Sequence, residues 1–301
     1  MLDFRIDTFL AVCKYMNYTK AAEALNLTQP AVSQHIRWLE QQYNVPLFHY
    51  EGKRLTLTPQ GQIFKSAATT AKHDQMYLQR CMTQSAEQLS DLNFGVTPTP
   101  GMYLVPAPLA SYHKQFPYAK ISVKMDNTAS LCQALDNGTI DFAIVEGYFH
   151  KKDYDSLLYK REPYVAVCSA QYTFQSTPKS LSDLQSETLL VREAGSGNRA
   201  ILQRTLSCQN LTLEDFDSII ELGDMNLLKT MLLQGCGVAF LYEAAVKKEL
   251  EQGLVCQIPL TDFCETHDIS FIWRKNSIFS ERYHELHRLL LSPSDENSKS
   301  K

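Results

Sequence analysis

Residues 19–40 constrain the fold of this chain more than any other segment, because they place two helical patterns on either side of a very short break. The break at Asn26 and Leu27 is followed by Thr28, a favoured helix N-cap, and by Pro30, which a helix tolerates in its first turn. The segment therefore predicts two helices joined by a tight turn. The inward face of the second helix is predicted to consist of Val32, Ile36 and Leu39.

A polar side lies next to this apolar stripe at the start of the same helix. Gln and Arg side chains match the donor and acceptor patterns of base edges in the major groove of DNA, and Ser can hold a phosphate. A plain helical bundle with a solvated face would show the same residue types. We predict that the DNA-contacting residues of this helix are Thr28, Gln29, Pro30, Ser33, Gln34 and Arg37.

Two flanking segments extend this unit. Apolar residues at helical spacing predict an earlier helix over residues 5–15. Thr19 is predicted to cap the helix that follows it. A turn centred on Gly52, between short β-prone runs, predicts a hairpin or wing. Its cations, Lys53 and Arg54, join the predicted DNA contacts, because they would lie beside the phosphate backbone.

A long helix is predicted from Thr58 to about Ser90. Thr58 and Pro59 supply a cap and a first-turn proline, and neither Pro nor Gly occurs between Gln62 and Asn93. One apolar stripe of this helix is free to pack on another helix, and we expect the same helix of a second subunit to cover it. The apolar residues are Ile63, Phe64, Ala67, Ala71, Met76, Tyr77, Leu78, Cys81 and Met82.

From residue 92 onward, short β-prone runs alternate with helical patterns. This alternation predicts an α/β fold with mostly parallel strands, whose ligands bind where loops leave the carboxyl ends of the strands. The predicted strands are 92–97, 120–125, 141–145, 164–169, 188–191, 219–222, 238–241 and 269–273, and the predicted helices between them are 106–115, 130–137, 199–207, 226–234 and 242–252.

Short polar side chains follow several of these strands and precede predicted helices. Helix N-termini present free amide donors, so a carboxylate, phosphate or other small anion would suit these loops. Each residue taken singly is equally well explained as a helix cap. Arg192 and Arg199 are cationic candidates, although Arg199 has Glu193 as an alternative partner. We predict that the anion contacts Thr97, Thr99, Asn127, Thr128 and Ser196.

Taken together, these segments resemble the LysR-type transcription regulators over nearly the whole chain. The specific part of the resemblance lies in residues 21–25, 29–33, 36–40, 46–48, Gly52 and 57–61, and less specific matches follow at 95–106, 126–128, 141–147, 192–199 and 234–241. One departure is Tyr50, where an arginine is common in the family. That departure leaves Lys53 and Arg54 as the cations of the wing.

The resemblance implies a winged helix-turn-helix over 1–58, a linker or dimerisation helix over 59–91 and an effector-binding domain over 92–301. The last would have two lobes, as in periplasmic solute-binding proteins, with lobe I at about 92–162 and 268–291 and lobe II at about 163–267. It also implies that an effector binds between the lobes. The implied partners are double-stranded operator or promoter DNA, the effector, other copies in a homodimer or homotetramer, and RNA polymerase.

Composition separates this reading from two alternatives. An enzyme using a cysteine and a histidine has no recognisable nucleophile turn here, and the eight cysteines form no Cys-x-x-Cys pair, so we expect reduced thiols and no catalytic, metal or cofactor site. A purely architectural DNA-binding protein would be more basic than a net charge of −4. No apolar run or secretory signal indicates a membrane or an export route, so we expect a cytoplasmic protein.

Overall fold

The computed structural model describes residues 3–52, 54–83 and 90–291. Its N-terminal part contains three helices and a two-stranded antiparallel hairpin. These elements are α1 (Phe4–Tyr15), α2 (Tyr18–Leu25), α3 (Gln29–Tyr43), β1 (Phe48–Glu51) and β2 (Arg54–Leu57). Thr28 caps α3 as predicted, since its hydroxyl accepts from the Ala31 N–H at 3.3 Å. The predicted cap Thr19 is wrong, because the Asn17 side chain accepts from the Lys20 N–H and starts α2 earlier.

One hydrophobic core holds these helices together. It contains Phe9 and Val12 of α1 and the predicted stripe of α3, all of them almost fully buried. Burying one such side chain contributes about 1.5–3 kcal/mol relative to leaving it exposed. The stripe therefore fixes which side of α3 faces outward.

The segment after the hairpin is fixed by a close backbone contact. The Thr58 hydroxyl donates to the Pro46 carbonyl at 2.7 Å and accepts from the Gly61 N–H at 2.9 Å. A Cβ atom on Gly61 would lie 2.0 Å from the Leu47 carbonyl oxygen, so only glycine fits there. This contact explains why the motif over residues 57–61 ends in glycine.

The helix α4 (Pro59–Thr83) follows. Its predicted continuation toward Ser90 falls mostly on residues 84–89, outside the part of the chain that the structure describes. Near its start Phe64 packs edge-on against Phe9, 4.8 Å between ring centroids. Farther along, α4 lies against the C-terminal domain.

The C-terminal domain begins at β3 and is an alternation of strands and helices. Its strands are β3 (Leu92–Val96), β4 (Ile121–Met125), β5 (Phe142–Val145), β6 (Tyr154–Ser169), β7 (Thr188–Arg192), β8 (Ser218–Leu222), β9 (Val238–Tyr242), β10 (Val255–Gln257) and β11 (Glu265–Arg274). Its helices are α5 (Pro98–Tyr103), α6 (Pro106–Gln115), α7 (Thr128–Asp136), α8 (Gly197–Cys208), α9 (Met225–Leu233), α10 (Glu243–Glu251) and α11 (Ser280–Leu290).

These strands form one mixed sheet in the order β4-β3-β5-β11-β6-β9-β7-β8, with β10 paired to β6. The strands β4, β3 and β5 are parallel and define lobe I, and the parallel strands β9, β7 and β8 define lobe II. The expectation of mostly parallel strands is wrong for the middle of the sheet. There the long strands β6 and β11 pair antiparallel with each other and with one strand of each lobe.

Each lobe has its own apolar core. In lobe I, Phe142 stacks on Phe94 and on Phe271, with centroids 4.9 and 4.5 Å apart. In lobe II, apolar residues pack on both sides of the sheet, for example Phe240 on one side and Leu241 on the other. Because β6 and β11 run through both halves, they join two separately packed bodies.

Polar contacts attach α4 to lobe I. The Asp74 carboxylate accepts from the Ser277 hydroxyl at 2.6 Å and from the Ile278 N–H at 2.9 Å. The buried Arg274 guanidinium donates to Asp136 of α7 at 2.7 Å and to the Ser66 carbonyl of α4 at 3.3 Å. The residues that α4 contributes to these bonds are more than two hundred positions from their partners in the sequence. The bonds hold the helix against the C-terminal domain.

Candidate DNA-binding and effector-binding sites

The start of α3 is an exposed polar surface. Thr28, Gln29, Pro30, Gln34 and Arg37 are all exposed, and Ser33 is half-buried. The only hydrogen bond that the described structure shows between two of these side chains runs from Gln29 Nε2 to Ser33 Oγ at 2.9 Å. The fold thus brings all six residues predicted for this helix to one accessible face.

The hairpin supplies the wing beside this face. Gly52 has a φ of +63°, a left-handed conformation that glycine adopts without strain, and a Cβ there would meet nothing within 4 Å. Arg54 is exposed and lies opposite Glu51 in the hairpin register. Lys53, the other predicted wing contact, falls outside the described residues.

A small cavity of about 170 Å³ lies between the lobes. Ligand pockets for drug-sized molecules usually have about 300–1,000 Å³, so this cavity suits a ligand of few atoms. It is lined by Thr97, Pro98, Met125, Asp126, Asn127 and Glu146 from the lobe I side and by Arg192, Glu193, Ser196 and Gly197 from the lobe II side.

Three of the five residues predicted to contact the anion line this cavity, and two lie beneath it. Thr97, Asn127 and Ser196 are in the lining, whereas Thr99 and Thr128 are buried next to it. The Asn127 side chain caps α7 by accepting from the Ser130 N–H at 2.9 Å. Ser196 precedes α8 but its hydroxyl makes no cap hydrogen bond.

The threonines hold one residue, Glu146, that the sequence did not single out. The Glu146 N–H donates to Thr97 Oγ1 at 3.0 Å, and the Thr128 hydroxyl donates to the Glu146 carbonyl at 2.6 Å. The Thr99 hydroxyl lies near the carboxyl group but makes no hydrogen bond of normal geometry. Glu146 directly follows the fully buried strand β5, and that position at a strand's carboxyl end is the signal that marks it.

Burial is the main influence on the pKa of Glu146, a residue that is only 2% exposed. Burial raises the pKa of its carboxyl to about 7, while the Thr99 hydroxyl and the Arg192 guanidinium lower it by smaller amounts. A Cβ on Gly197 of lobe II would lie 3.2 Å from Glu146 Cγ, so glycine at that position lets the two lobes approach.

The lobe II residues near Glu146 are also polar and buried. Tyr164 donates to the Asn198 carbonyl at 3.1 Å, and its ring meets Tyr242 at 5.4 Å. Burial is the main cause that raises the pKa of both tyrosines, and the Glu146 charge adds to it. Glu146 therefore lies close to lobe II.

The two arginine candidates are engaged in ion pairs. Arg192 makes a two-point contact with Glu193 at 2.7 and 2.9 Å. Arg199 pairs with Glu221 of β8 and donates to the Arg192 carbonyl at 3.2 Å, so Glu193 is not its partner. Arg192, the arginine that lines the cavity, is therefore paired with Glu193 of the same lining.

A stripe along α4 is open to solvent in the single chain. Ile63 is 72% and Met82 is 78% exposed, and Ala67 and Leu78 between them are exposed as well. This stripe borders an apolar groove of about 680 Å³ that also includes Ile278. Such a patch on a protein surface commonly marks an interface.

A DNA-binding helix-turn-helix with a wing, a connecting helix and a two-lobed α/β domain with an interlobe cavity define a ligand-responsive transcription regulator. Residues 5–62 match the family described as bacterial regulatory helix-turn-helix protein, lysR family, and residues 85–292 match the LysR substrate binding domain. The chain belongs to the LysR family of DNA-binding transcription regulators, and the enzyme hypothesis is set aside because these families and relatives are regulators.

Individual relatives agree over most of the chain. The HTH-type transcriptional regulator CysL of Bacillus subtilis is 27% identical over 271 residues, which cover 89% of each chain. A full-length OxyR from Pseudomonas aeruginosa has a TM-score of 0.59 at 20% identity, covering 96% of this chain and 94% of that one. The CcmR regulatory domain of Synechocystis PCC6803, solved with 2-PG, has a TM-score of 0.58 at 17% identity and covers 67% of this chain and 98% of its own.

Within residues 3–52, 54–83 and 90–291, no helix is both long and apolar enough to span a bilayer. The same ranges contain no group of three or more His, Cys, Asp or Glu residues placed to hold a metal ion. All eight cysteines are free thiols.

Proposed function

We propose that this protein binds operator DNA site-specifically through α3 and that a small anion in the interlobe cavity modulates this binding. The observation that carries the proposal is the arrangement of α3. Its apolar stripe is buried in the core while its predicted contact residues stand exposed on one face. A helix mounted in this way fits the major groove.

The proposed contacts divide into two kinds. Gln29, Gln34 and Arg37 would read base edges, and Ser33 together with the wing cations Lys53 and Arg54 would bind phosphates. Thr28 and Pro30 would place the helix start against the DNA backbone. A gel-shift titration of the full chain tests this. The complex with its promoter fragment should survive excess competitor DNA, whereas an architectural protein would bind promoter and competitor DNA equally and lose the promoter complex.

The proposed effector is a small oxyanion. The cavity is small and is bordered by Asn127 and Ser196, which stand at the starts of α7 and α8. Amide groups at helix starts favour negative charge. A thermal-shift series on the full chain should begin with 2-phosphoglycolate, the ligand of the CcmR domain, and a ligand-dependent rise in melting temperature would support the site. No shift with any small oxyanion would contradict it.

We propose that a second copy of this chain covers the stripe on α4, because apolar residues line it along most of the helix. Replacing Ile63 and Leu78 by Lys should convert a dimer or tetramer to a monomer in sedimentation at micromolar concentration. Gln62→Lys, which changes an exposed polar neighbour, should leave assembly intact. A wild-type monomer that binds operator DNA fully would contradict the proposal.

Domain limits, location and one further partner are proposed from the family resemblance. We propose 1–58, 59–91 and 92–301 as the three units, with the lobe boundaries given above, a cytoplasmic location and RNA polymerase as a partner of the DNA-bound protein. The helix-turn-helix family match ends at residue 62 and the second match starts at 85, so most of α4 lies between them. A further mobility shift of the operator complex on addition of RNA polymerase tests the proposed partner.

A further inference from the structure

Four buried polar atoms at the contact between the lobes have no hydrogen-bond partner among the described residues. They are Thr99 Oγ1 and Glu146 Oε2 on the lobe I side and Asn198 Nδ2 and Tyr242 OH on the lobe II side. Nearly all buried polar groups in folded proteins are hydrogen-bonded, and leaving one unpaired is costly. Polar atoms of this kind can be satisfied by a bound ligand or by ordered water.

Glu146 is fixed from several directions. Thr97 and Thr128 hold its backbone N–H and carbonyl, and Gly197 packs against its Cγ from lobe II. These contacts fix the backbone and Cγ of Glu146 at the wall of the cavity.

The charged and titratable groups around this carboxyl leave it without an ion pair of its own. Arg192 on β7 is bonded to Glu193, and Asp126 after β4 pairs with Lys124 at 3.4 Å. The groups facing it from β6 and β9 are the phenols of Tyr164 and Tyr242. An anion entering the cavity would add negative charge, which favours the protonated acid still further.

We propose that Glu146 is the discriminating residue of the cleft: it carries a proton in the effector complex and donates a hydrogen bond to an oxygen of a small oxyanion. The inference rests on the proposed anion site and adds that each anion binds together with one proton taken from solvent. Thr99 Oγ1, Asn198 Nδ2 and Tyr242 OH are further unpaired donors near this contact, although their residues do not line the cavity itself.

The proposal has a definite pH dependence. With a pKa of about 7 in the free protein, Glu146 is mostly protonated below pH 7, so anion binding there takes up little additional proton. Above pH 7 the uptake approaches one proton per anion. The affinity should then fall toward roughly tenfold per pH unit, beyond the change caused by titration of the anion itself.

Isothermal titration calorimetry of the full chain with 2-phosphoglycolate, at pH 6 and pH 8 in two buffers of different ionisation enthalpy, counts these protons. The anion's own titration is common to all variants and cancels between them. At pH 8 the wild type should take up nearly one proton more than Glu146→Gln. Glu162→Gln is the matched control, since Glu162 is equally buried but accepts from the Ala244 N–H and pairs with Lys160.

Thermal unfolding without ligand gives an independent measurement. The pKa of Glu146 is raised from 4.5 to about 7 by folding, so the wild type loses stability as the pH rises from about 4.5 to about 7, above which the loss is complete. The melting temperature of Glu146→Gln, relative to wild type, should therefore increase between pH 5.5 and pH 8.5. A difference that does not change with pH would overturn the inference.

The calorimetric outcomes separate the two proposals. Equal proton uptake by wild type and Glu146→Gln, with 2-phosphoglycolate bound by both, overturns the inference and leaves the anion site standing. If 2-phosphoglycolate, inorganic phosphate and glycolate all fail to bind the wild type, the proposed anion site fails and the inference about its proton fails with it.

Discussion

At the start of α3 most predicted contact residues are exposed and make few bonds within the protein, whereas in the cleft Thr97 and Thr128 are buried and bonded to their own chain. Gln34 and Arg37 are free to meet a partner, and the core beneath them does not use them. Thr97 and Thr128 are hydrogen-bonded to the backbone of Glu146. Substitutions on α3 should thus separate binding from stability, and substitutions of Thr97 or Thr128 in the cleft should change both.

The largest effect should come from Gly61→Ala, which tests whether DNA binding by α3 requires the close packing of α4 against Leu47. The new Cβ would overlap the Leu47 carbonyl, and such overpacking against backbone should cost about 3 kcal/mol of unfolding free energy and abolish operator binding. Gly52→Ala meets only open space, so its left-handed backbone should cost about 1 kcal/mol. Denaturant unfolding measures both. Equal costs would contradict the structural reason given for Gly61.

The next effect tests the cleft. Thr128→Val keeps the volume but removes the donor to the Glu146 carbonyl, so the unfolding free energy should fall by about 1–3 kcal/mol and the anion response should weaken. Gln34→Ala should stay within about 0.5 kcal/mol of wild type in the same unfolding measurement. If the two variants unfold alike, the contrast between the regions is lost.

Base preference is the third test. Gln29→Ala and Gln34→Ala should each change the preferred operator sequence by about 1–3 kcal/mol per lost base contact, with an unchanged melting temperature. Arg54→Ala is the control on the wing and should weaken binding to operator and random DNA alike. Competition binding against single-base operator variants measures both. An unchanged preference in Gln29→Ala and Gln34→Ala would remove the assignment of α3 to base readout.

The smallest effect should come from Ser196→Ala, which refines the contrast within the cleft. Its hydroxyl does not cap α8, so the variant should unfold within about 0.5 kcal/mol of wild type. Anion binding should weaken by about 1 kcal/mol if the hydroxyl contacts the ligand. A calorimetric titration decides. A large loss of stability would show that Ser196 belongs with the supporting threonines.

The α3 surface could be predicted because its signals are local. Thr28 and Pro30 mark the helix start, and the apolar spacing fixes the buried side, so the exposed side follows from residues within a few turns. Threonine followed by proline also occurs at Thr97 and Pro98, yet no helix is predicted between residues 97 and 106, where the structure has α5. Thr97 gives no side-chain cap there, because its hydroxyl binds the Glu146 N–H instead.

Glu146 could not be assigned from local pattern alone. Its burial requires Gly197 and Tyr242, residues far along the chain, to close over it from lobe II. The antiparallel centre of the sheet was missed for the same reason, since the pairing of β6 with β11 joins segments about a hundred residues apart. Long-range pairing is set by tertiary packing, which short sequence patterns do not encode.

The bonds between α4 and lobe I make the helix a lever arm. Asp74 lies 13 residues after Gly61, about 20 Å along the helix, so a tilt of 5° about Asp74 would move the far end at Gly61 by about 2 Å. That far end carries the Gly61 contact to the hairpin. In an assembly with two such arms, a small rotation of the lobes would change the distance between the two DNA-binding domains. The affinity for two DNA half-sites at a fixed spacing would change with that distance.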